Sequence, residues 1–392
     1  MRNKVDTGVV SGRPGLDYQC RTLRGHKSVV TDAIYITSND IYNEDLISEA
    51  SHPIVASCSM DKSVSLWSPR EGKNMWRKEA HTTPVKHLSV VTHDALVASG
   101  DQGGAVKLWD INTGQNTELK DEHPGGVTTM LTSRNIFAQS KGGKKLGLLY
   151  VGCREGYIKL WDVRDPTKPQ HVLQGKFGLN CIQLQREHLL AVSSSSDDTI
   201  QLFDIRNLSS EFKNSLFGSI SHPDGDSVTC MVPSSTNENL LAVGYLNGDI
   251  ILWDTVGRKE LHRFHHCSKI SALSTFGRIL FSVAQDNIMH LWNTKTFAHI
   301  QQFEDHLGPI TGLYVDAYRV MTCSRDYSIR VYRWLHYDSS LAEGVNRKLE
   351  SRYTLLGGSL QRAGNGFEKV ICDFSSCVGI ANDVMKAYSF HT

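Results

Sequence analysis

The 392-residue chain has no surplus of charge: 42 Lys and Arg stand against 41 Asp and Glu, a formal net charge of +1. Surfaces that bind nucleic acid or membrane phosphates draw on clustered Lys and Arg, so neither partner is expected. No apolar run approaches the roughly 18 residues of a membrane helix. The opening stretch MRNKVDTGVVSGRPG lacks the apolar centre of a signal peptide, and residues 1–17 read instead as a flexible tail. The nine cysteines are odd in number, include no CxxC pair and mostly sit in apolar, strand-like runs, which fits buried thiols in a cytoplasmic or nuclear protein. No HExxH, paired-carboxylate or GKS/GKT pattern occurs; SKGGKKLG (140–147) has neither the ending nor the following helix of a phosphate loop and reads as a hairpin connection. No catalytic constellation, cofactor or metal is therefore expected, and the chain does not read as an enzyme.

What is present is a repeat. The stretch AVKLWDINTG at 105–114 has relatives in SVSLWSPREG (63), YIKLWDVRDP (157), TIQLFDIRNL (199), DIILWDTVGR (249), IMHLWNTKTF (288), SIRVYRWLHY (328) and VMKAYSFHT (384). Each alternates apolar and polar residues, the mark of a half-buried strand. Upstream of the copy at 105, PVKHLSV and ALVASG are two more short β-branched runs separated by turn residues, the makings of an antiparallel meander. The aromatic positions Trp67, Trp109, Trp161, Phe203, Trp253, Trp292, Tyr332 and Tyr388 are 42, 52, 42, 50, 39, 40 and 56 residues apart. No window of comparable length keeps a 3.6-residue apolar period, so the chain reads as all-β.

A repeat of about 40 to 50 residues made of four strands is the pattern of a β-propeller. With LRGH at 23, LWD at 108, 160 and 252, and SRD at 324, the chain resembles the WD-repeat family from about Tyr18 to Thr392. First strands fall at 29–36, 84–90, 126–132, 179–184, 227–232, 269–274, 309–315 and 367–374. The final unit ends after its third strand, and YQCRTLRGH (18–26) supplies a fourth, so the termini are expected to pair and close an eight-bladed ring comprising residues 18–392. Seven blades is the commoner number in the family, and the final unit decides between the two.

Histidines precede several blades (His26, His81, His123, His222, His266, His306), and polar or acidic residues precede most third strands (Asp61, Asp101, Glu155, Asn247, Asp286, Asp326). Beside Ser59 or Ser324 these suggest a hydrolase triad, but a nucleophile needs a unique setting and this motif is copied. The resemblance implies instead a buried hydrogen-bond network of His, Asp, Ser or Thr, and Trp: His26, Asp61 and Trp67; His81, Asp101 and Trp109; His306 and Asp326. It is expected to fail in blades 4 and 8, where Lys176 and Ser359 replace the His, and to leave those blades softer. HRFHHC (262–267) suggests a metal, but strand alternation sends His265 away from His262 and His266.

The resemblance also implies a partner-binding rim around the central channel, two residues per blade: Thr31 and Met60, Lys86 and Gly100, Thr128 and Arg154, Asn180 and Asp197, Thr229 and Leu246, Ser271 and Gln285, Thr311 and Arg325, and Ile371 and Asn382. Lys86 and Arg154, in adjacent blades beside Thr128 and Asn180, would form a positive sector suited to an acidic or phosphorylated peptide; Thr229 and Arg325 complete the candidate set. No aromatic cluster for a methyl-lysine cage is found there. Long insertions at 37–52 (acidic), 139–147 (basic) and 335–351 should project from the opposite face. The expected function is a non-catalytic interaction scaffold or adaptor, working within a multi-subunit complex. The phrasing SCSMDKSVSLW and VDAYRVMTCSRDYSIRVYRW is also similar to F-box/WD-repeat substrate receptors of ubiquitin ligases, although the 17 residues before the first strand are too few for an F-box.

Overall fold

The computed structural model describes residues 6–7, 18–37, 53–91, 95–132, 148–185, 188–195, 198–205, 216–335, 348–356, 366–373 and 375–390. Among these there is no α-helix, and the strands form eight antiparallel sheets arranged as the blades of one propeller. In order from the channel outward, blade 1 consists of Val30–Ile36, Ile54–Ser59, Ser63–Ser68 and Lys73–Glu79. Blade 2 consists of Val85–Val91, Leu96–Asp101, Val106–Asp110 and Asn116–Glu118. Blade 3 is built from Val127–Thr132, Leu148–Cys153, Tyr157–Asp162 and His171–Gln174, and blade 4 from Leu179–Leu184, Leu189–Ser194, Thr199–Asp204 and Leu216–Ser221. Blade 5 comprises Val228–Pro233, Leu240–Tyr245, Asp249–Asp254 and Lys259–His265, and blade 6 Ile270–Phe276, Ile279–Ala284, Met289–Asn293 and His299–Phe303. Blade 7 comprises Ile310–Val315, Arg319–Ser324, Ser328–Trp334 and Leu349–Leu356.

Blade 8 takes Lys369–Cys372, Ser376–Ala381 and Val384–Phe390 from the C-terminal end and Tyr18–Leu23 from the N-terminal end, in register from Tyr18 opposite Phe390 to Leu23 opposite Met385. The ring therefore has eight blades, closed as the repeat count requires. Blade 8 also gains a fifth strand, Asp6–Thr7, paired outside Tyr18–Leu23, within the segment expected to be a tail.

Burial follows the radial position of each strand. Second strands are buried along their whole length in six blades, because they pack on both faces, while fourth strands are mostly exposed. The aromatic residue of each third strand packs against the blade before it: Trp109 joins the core of blade 1, Trp161 that of blade 2, and Trp67 reaches Leu23, Val378 and Met385 of blade 8. Each such side chain fills the wedge between two diverging sheets, and truncating one to Ala is worth about 3–5 kcal/mol. One blade alone has no surface for it, which is why the motif must be copied.

In blades 1 to 7 the first-strand ladder slips at one residue: Thr31, Lys86, Thr128, Asn180, Thr229, Ser271 and Thr311. These β-bulges coincide with the expected first-strand rim positions, and each lies two residues into its strand at the crowded inner end of a blade. Blade 8 has the shortest first strand, four residues, and pairs without a slip.

Candidate interaction face and buried network

The His–Asp–Ser/Thr part of the polar network is complete in four blades, joined by Trp in blades 1, 2 and 6 and with Tyr332 at the Trp position in blade 7. In blade 1 the His26 Nε2 lies 2.7 Å from Ser57 Oγ, which also accepts a 2.7 Å bond from Trp67 Nε1, while Nδ1 faces Asp61 at 3.2 Å. Blades 2, 6 and 7 repeat it with His81, Ser99 and Asp101; His266, Ser282 and Asp286; and His306, Thr322 and Asp326. The acids also cap their own turns: Asp61 and Asp326 accept from the N–H two residues on. Burial raises the pKa of a carboxyl, yet those of Asp61 and Asp326 end well below the usual range. At Asp61 the bonds from Ser63 and Lys27 and the adjacent His26 outweigh burial; at Asp326, His306 and Ser328 do so. Burial lowers the pKa of His26, favouring its neutral form.

The remaining blades depart further than the sequence reading expects. In blade 3 Val151 occupies the register of the network serine, so Trp161 Nε1 bonds His123 Nε2 directly at 3.2 Å, and His123 Nδ1 donates to Gly104 O. Glu155 is not the partner of His123. Burial holds His123 down to about 4. In blade 5 the acid is Asp249, not Asn247, and Trp253 Nε1 donates to Tyr245 Oη at 3.1 Å. Blade 4 ties Lys176 Nζ to Thr199 Oγ1 instead; Ser359 of blade 8 and Asp197 lie outside the described residues.

His222, Asp224 and Asp249 converge, and such a trio has the composition of a metal site. Here Arg263 Nη1 already sits 3.0 Å from Asp224 and 3.3 Å from Asp249, and His222 Nδ1 accepts the Asp224 N–H, which places its proton on Nε2, facing Asp249. A guanidinium and an N–H fill the positions a cation would take. The HRFHHC histidines diverge: His262 stacks on Phe297, His265 bonds Asp249, and His266 belongs to blade 6.

On the rim, three bulge side chains link neighbouring blades. Thr31 Oγ1 donates to Val85 O (2.6 Å), Asn180 Nδ2 to Val228 O (2.8 Å) and Thr311 Oγ1 to Phe367 O (2.6 Å). Thr128 and Thr229 donate to Gly152 O and Gly244 O within their own blades. These groups serve the scaffold, whereas Arg154 and Arg325 are exposed and Lys86 is half-buried. Two assignments on the second row need correction. The turn residue whose N–H bonds the chain before the first strand is Met60, Arg154, Leu246, Gln285 or Arg325 in five blades, but Gln102 in blade 2 and Ser195 in blade 4, not Gly100 and Asp197. Gly100 is buried against blade 3, where a Cβ would meet Val127 and Met130 at 2.7 Å.

Sequence reasoning placed Met60 and Leu246 on this rim but overlooked two further exposed apolar residues of the face, Phe177 and Leu307. Met60 (39% exposed), Phe177 (61%), Leu246 (50%) and Leu307 (89%) all lie on second-to-third or fourth-to-first strand connections. Phe177 is seated between blades, since the next residue's N–H bonds Arg154 O and Ser194 Oγ bonds Phe177 O. Such residues break no periodicity and leave no signal short of knowing which turns share a face. At the other end of the channel a cavity of about 650 Å³ opens among Tyr35, Leu88, Val90, Met130, Leu184 and Tyr314.

Eight four-stranded blades, a His–Asp–Ser/Thr–Trp network in three of them, the same network with Tyr332 in place of Trp in a fourth, and closure by the two ends define the class: this chain is a WD-repeat β-propeller. The family described as WD domain, G-beta repeat matches residues 18–68, 72–110 and 214–254. The chain is 23% identical over 317 residues to the angio-associated migratory cell protein of Homo sapiens, covering 69% of this chain and 73% of that one. It is 31% identical over 208 residues to the guanine nucleotide-binding protein subunit beta-1 of Nicotiana tabacum, covering 50% and 52%. Among solved structures it is similar to the computationally designed protein Ika8, with a TM-score of 0.71 at 21% identity over 94% of this chain and 98% of that one. A chain of the mitotic checkpoint complex superposes with a TM-score of 0.57 at 18% identity, covering 76% and 87%. Propellers of this class generally act as interaction scaffolds.

Proposed function

We propose that this chain is a non-catalytic scaffold that holds a peptide segment of another protein on the face carrying Arg154 and Arg325. The observation that supports the reading is the company these cations keep: the exposed Phe177 stands beside Arg154, Leu307 is in the connection before Arg325's blade, and Met60 and Leu246 lie on the same side. Exposed apolar side chains among guanidiniums suit an acidic or phosphorylated peptide with apolar anchors, because Arg captures an anion bidentately while the apolar contacts gain from burial. The network histidines and carboxylates are buried and mutually bonded, which fits structure better than turnover. Two proteins it is similar to are, by name, parts of assemblies: a guanine nucleotide-binding protein subunit and the mitotic checkpoint complex. The nine thiols are all free, in keeping with a reducing compartment, cytoplasmic or nuclear. The names of the proteins it is similar to do not mention a ubiquitin ligase, and the narrower F-box reading gains nothing from them.

The test is affinity capture from cell extract with the wild type and a Lys86→Glu/Arg154→Glu variant of equal thermal stability, read by mass spectrometry. A partner lost only with the variant supports this face. An unchanged set of partners overturns the assignment.

A further inference from the structure

Every blade ends in an outer strand with one open edge, and an uncharged open edge invites pairing. Five of the eight carry a charge or a covering strand. Blade 8 is covered by Asp6–Thr7. Blade 1 carries Lys73, Arg77, Lys78 and Glu79, blade 5 carries Lys259, Glu260 and Arg263, and blade 7 carries Glu350 and Arg352. Blade 2 has a three-residue strand with Glu118, and blades 3 and 6 have outer strands of four and five residues whose ionisable groups, His171 and His299, are kept neutral by burial. Blade 4 alone presents a strand, LFGSIS at Leu216–Ser221, with no ionisable side chain.

That strand is also apolar on its exposed side. Phe217 is the bulge residue of its ladder, which leaves it and Leu216 both exposed, at 42% and 47%. The patch continues onto blade 5. The Arg258 guanidinium lies 5.7 Å from the Phe217 ring, a Cβ on Gly218 would fall 2.6 Å from Arg258 Nη1, and Val256 in the same turn is 48% exposed. Among the described residues, no strand pairs with the outer side of Leu216–Ser221.

We propose that this edge joins two copies of the chain, their Leu216–Ser221 strands pairing antiparallel so that the two blade 4 sheets become one sheet of eight strands. A second copy is the occupant the observations favour. A strand paired antiparallel with its own copy lies on a two-fold axis, so one patch satisfies both sides. The net charge of +1 sets up no repulsion between copies, and the paired strands themselves carry no charge, with Arg258 flanking each of them over Phe217. Leu216, Phe217 and Val256 would be covered on both copies at once. Blade 4 is also diametrically opposite blade 8 in the ring, so the contact leaves the closure undisturbed. Because the axis runs perpendicular to the sheet, the pairing turns one propeller over, and the two rims face opposite directions.

Sedimentation velocity of the full chain from about 1 to 100 µM tests this. A concentration-dependent monomer–dimer equilibrium is expected, weakened about tenfold or more by Ser219→Lys, which places a charge at an exposed edge position. Ser221→Lys, also exposed, should do the same, and either variant suffices if the other fails to fold. Gln302→Lys on the outer strand of blade 6 should leave the equilibrium unchanged. A wild type that stays monomeric throughout, or a dimer indifferent to both edge lysines, overturns the proposal; a monomer that instead binds a foreign extended peptide at this edge overturns the choice of a second copy.

Discussion

Removing one hydroxyl tests whether the network is structural in the sense argued above. Ser99 Oγ is buried and serves two groups, accepting from Trp109 Nε1 at 2.7 Å and meeting His81 Nε2 at 2.7 Å. In Ser99→Ala both lose their partner in a site closed to water, and an unsatisfied buried group costs about 1–3 kcal/mol. Simple addition gives about 2–6 kcal/mol. Blade 3 shows how the site can relax, because there the indole reaches the imidazole directly past Val151. The expected loss is therefore towards the low end, about 2–3 kcal/mol. Ser193→Ala is the control: that hydroxyl is equally buried but has no hydrogen-bond partner, so its removal should shift stability by less than about 0.5 kcal/mol or improve it. Urea unfolding followed by tryptophan fluorescence measures both, and hydrogen exchange across Val106–Asp110 localises the effect. Equal losses in the two variants would refute the reasoning, since burial would then matter and the bonds would not.

Other outcomes follow from the same geometry. The His123 pKa is lowered from 6.5 to about 4 by burial, so the unfolded chain binds the extra proton between those values; stability should fall by about 3 kcal/mol as pH drops from 6.5 to 4, and a His123→Gln variant should show a flatter urea-midpoint profile there. Below about pH 4 the depressed carboxyls Asp61, Asp101, Asp286 and Asp326 add a further loss as they take up protons, visible as a second, steeper limb of the same profile. Gly104 has φ +101° and its Cβ would lie 2.1 Å from His123 O, so Gly104→Ala should destabilise by more than about 2 kcal/mol, read by the urea midpoint. Arg21→Pro removes a backbone donor from the strand between Asp6–Thr7 and Val384–Phe390, and should lower the melting temperature and expose blade 8 to limited proteolysis.

The architecture was legible because its cause is local and repeated. Alternating residues around Trp67, Trp109 and their counterparts report a strand buried between two neighbours, and eight counterparts report eight wedges. Terminal pairing was legible as a missing strand at one end and a spare one at the other. The network was legible where an acid stands at or just before the expected turn position, as Asp61 and Asp101 do, and not where it follows, as Asp249 does. Asp101 does the work of Asp61 from a position two residues earlier in its ladder, and Asp249 from two residues later, because a carboxylate can reach the same imidazole from either side of the turn. Rim positions were found, but not their use: that Thr31 and Asn180 bond the next blade depends on a bulge, which is a relation between two strands and not a property of either. The apolar members of the face, Phe177 and Leu307, sit in connections that carry no periodicity.

The closure of blade 8 has a consequence for how the molecule comes into being. Tyr18–Leu23 emerges early in synthesis and its mate, Val384–Phe390, comes after all the other blades. Until then the early strand has a bare edge and the first blade lacks the neighbour that covers Trp67. Bringing such distant segments together costs chain entropy that grows only with the logarithm of their separation, about 0.6 kcal/mol per doubling, and stacking of the intervening blades removes most of that freedom beforehand. Closure is then a final, nearly rigid docking step. A nascent chain stalled before that step would hold stacked blades open at both ends, a form that holdase chaperones would bind and the closed ring would escape.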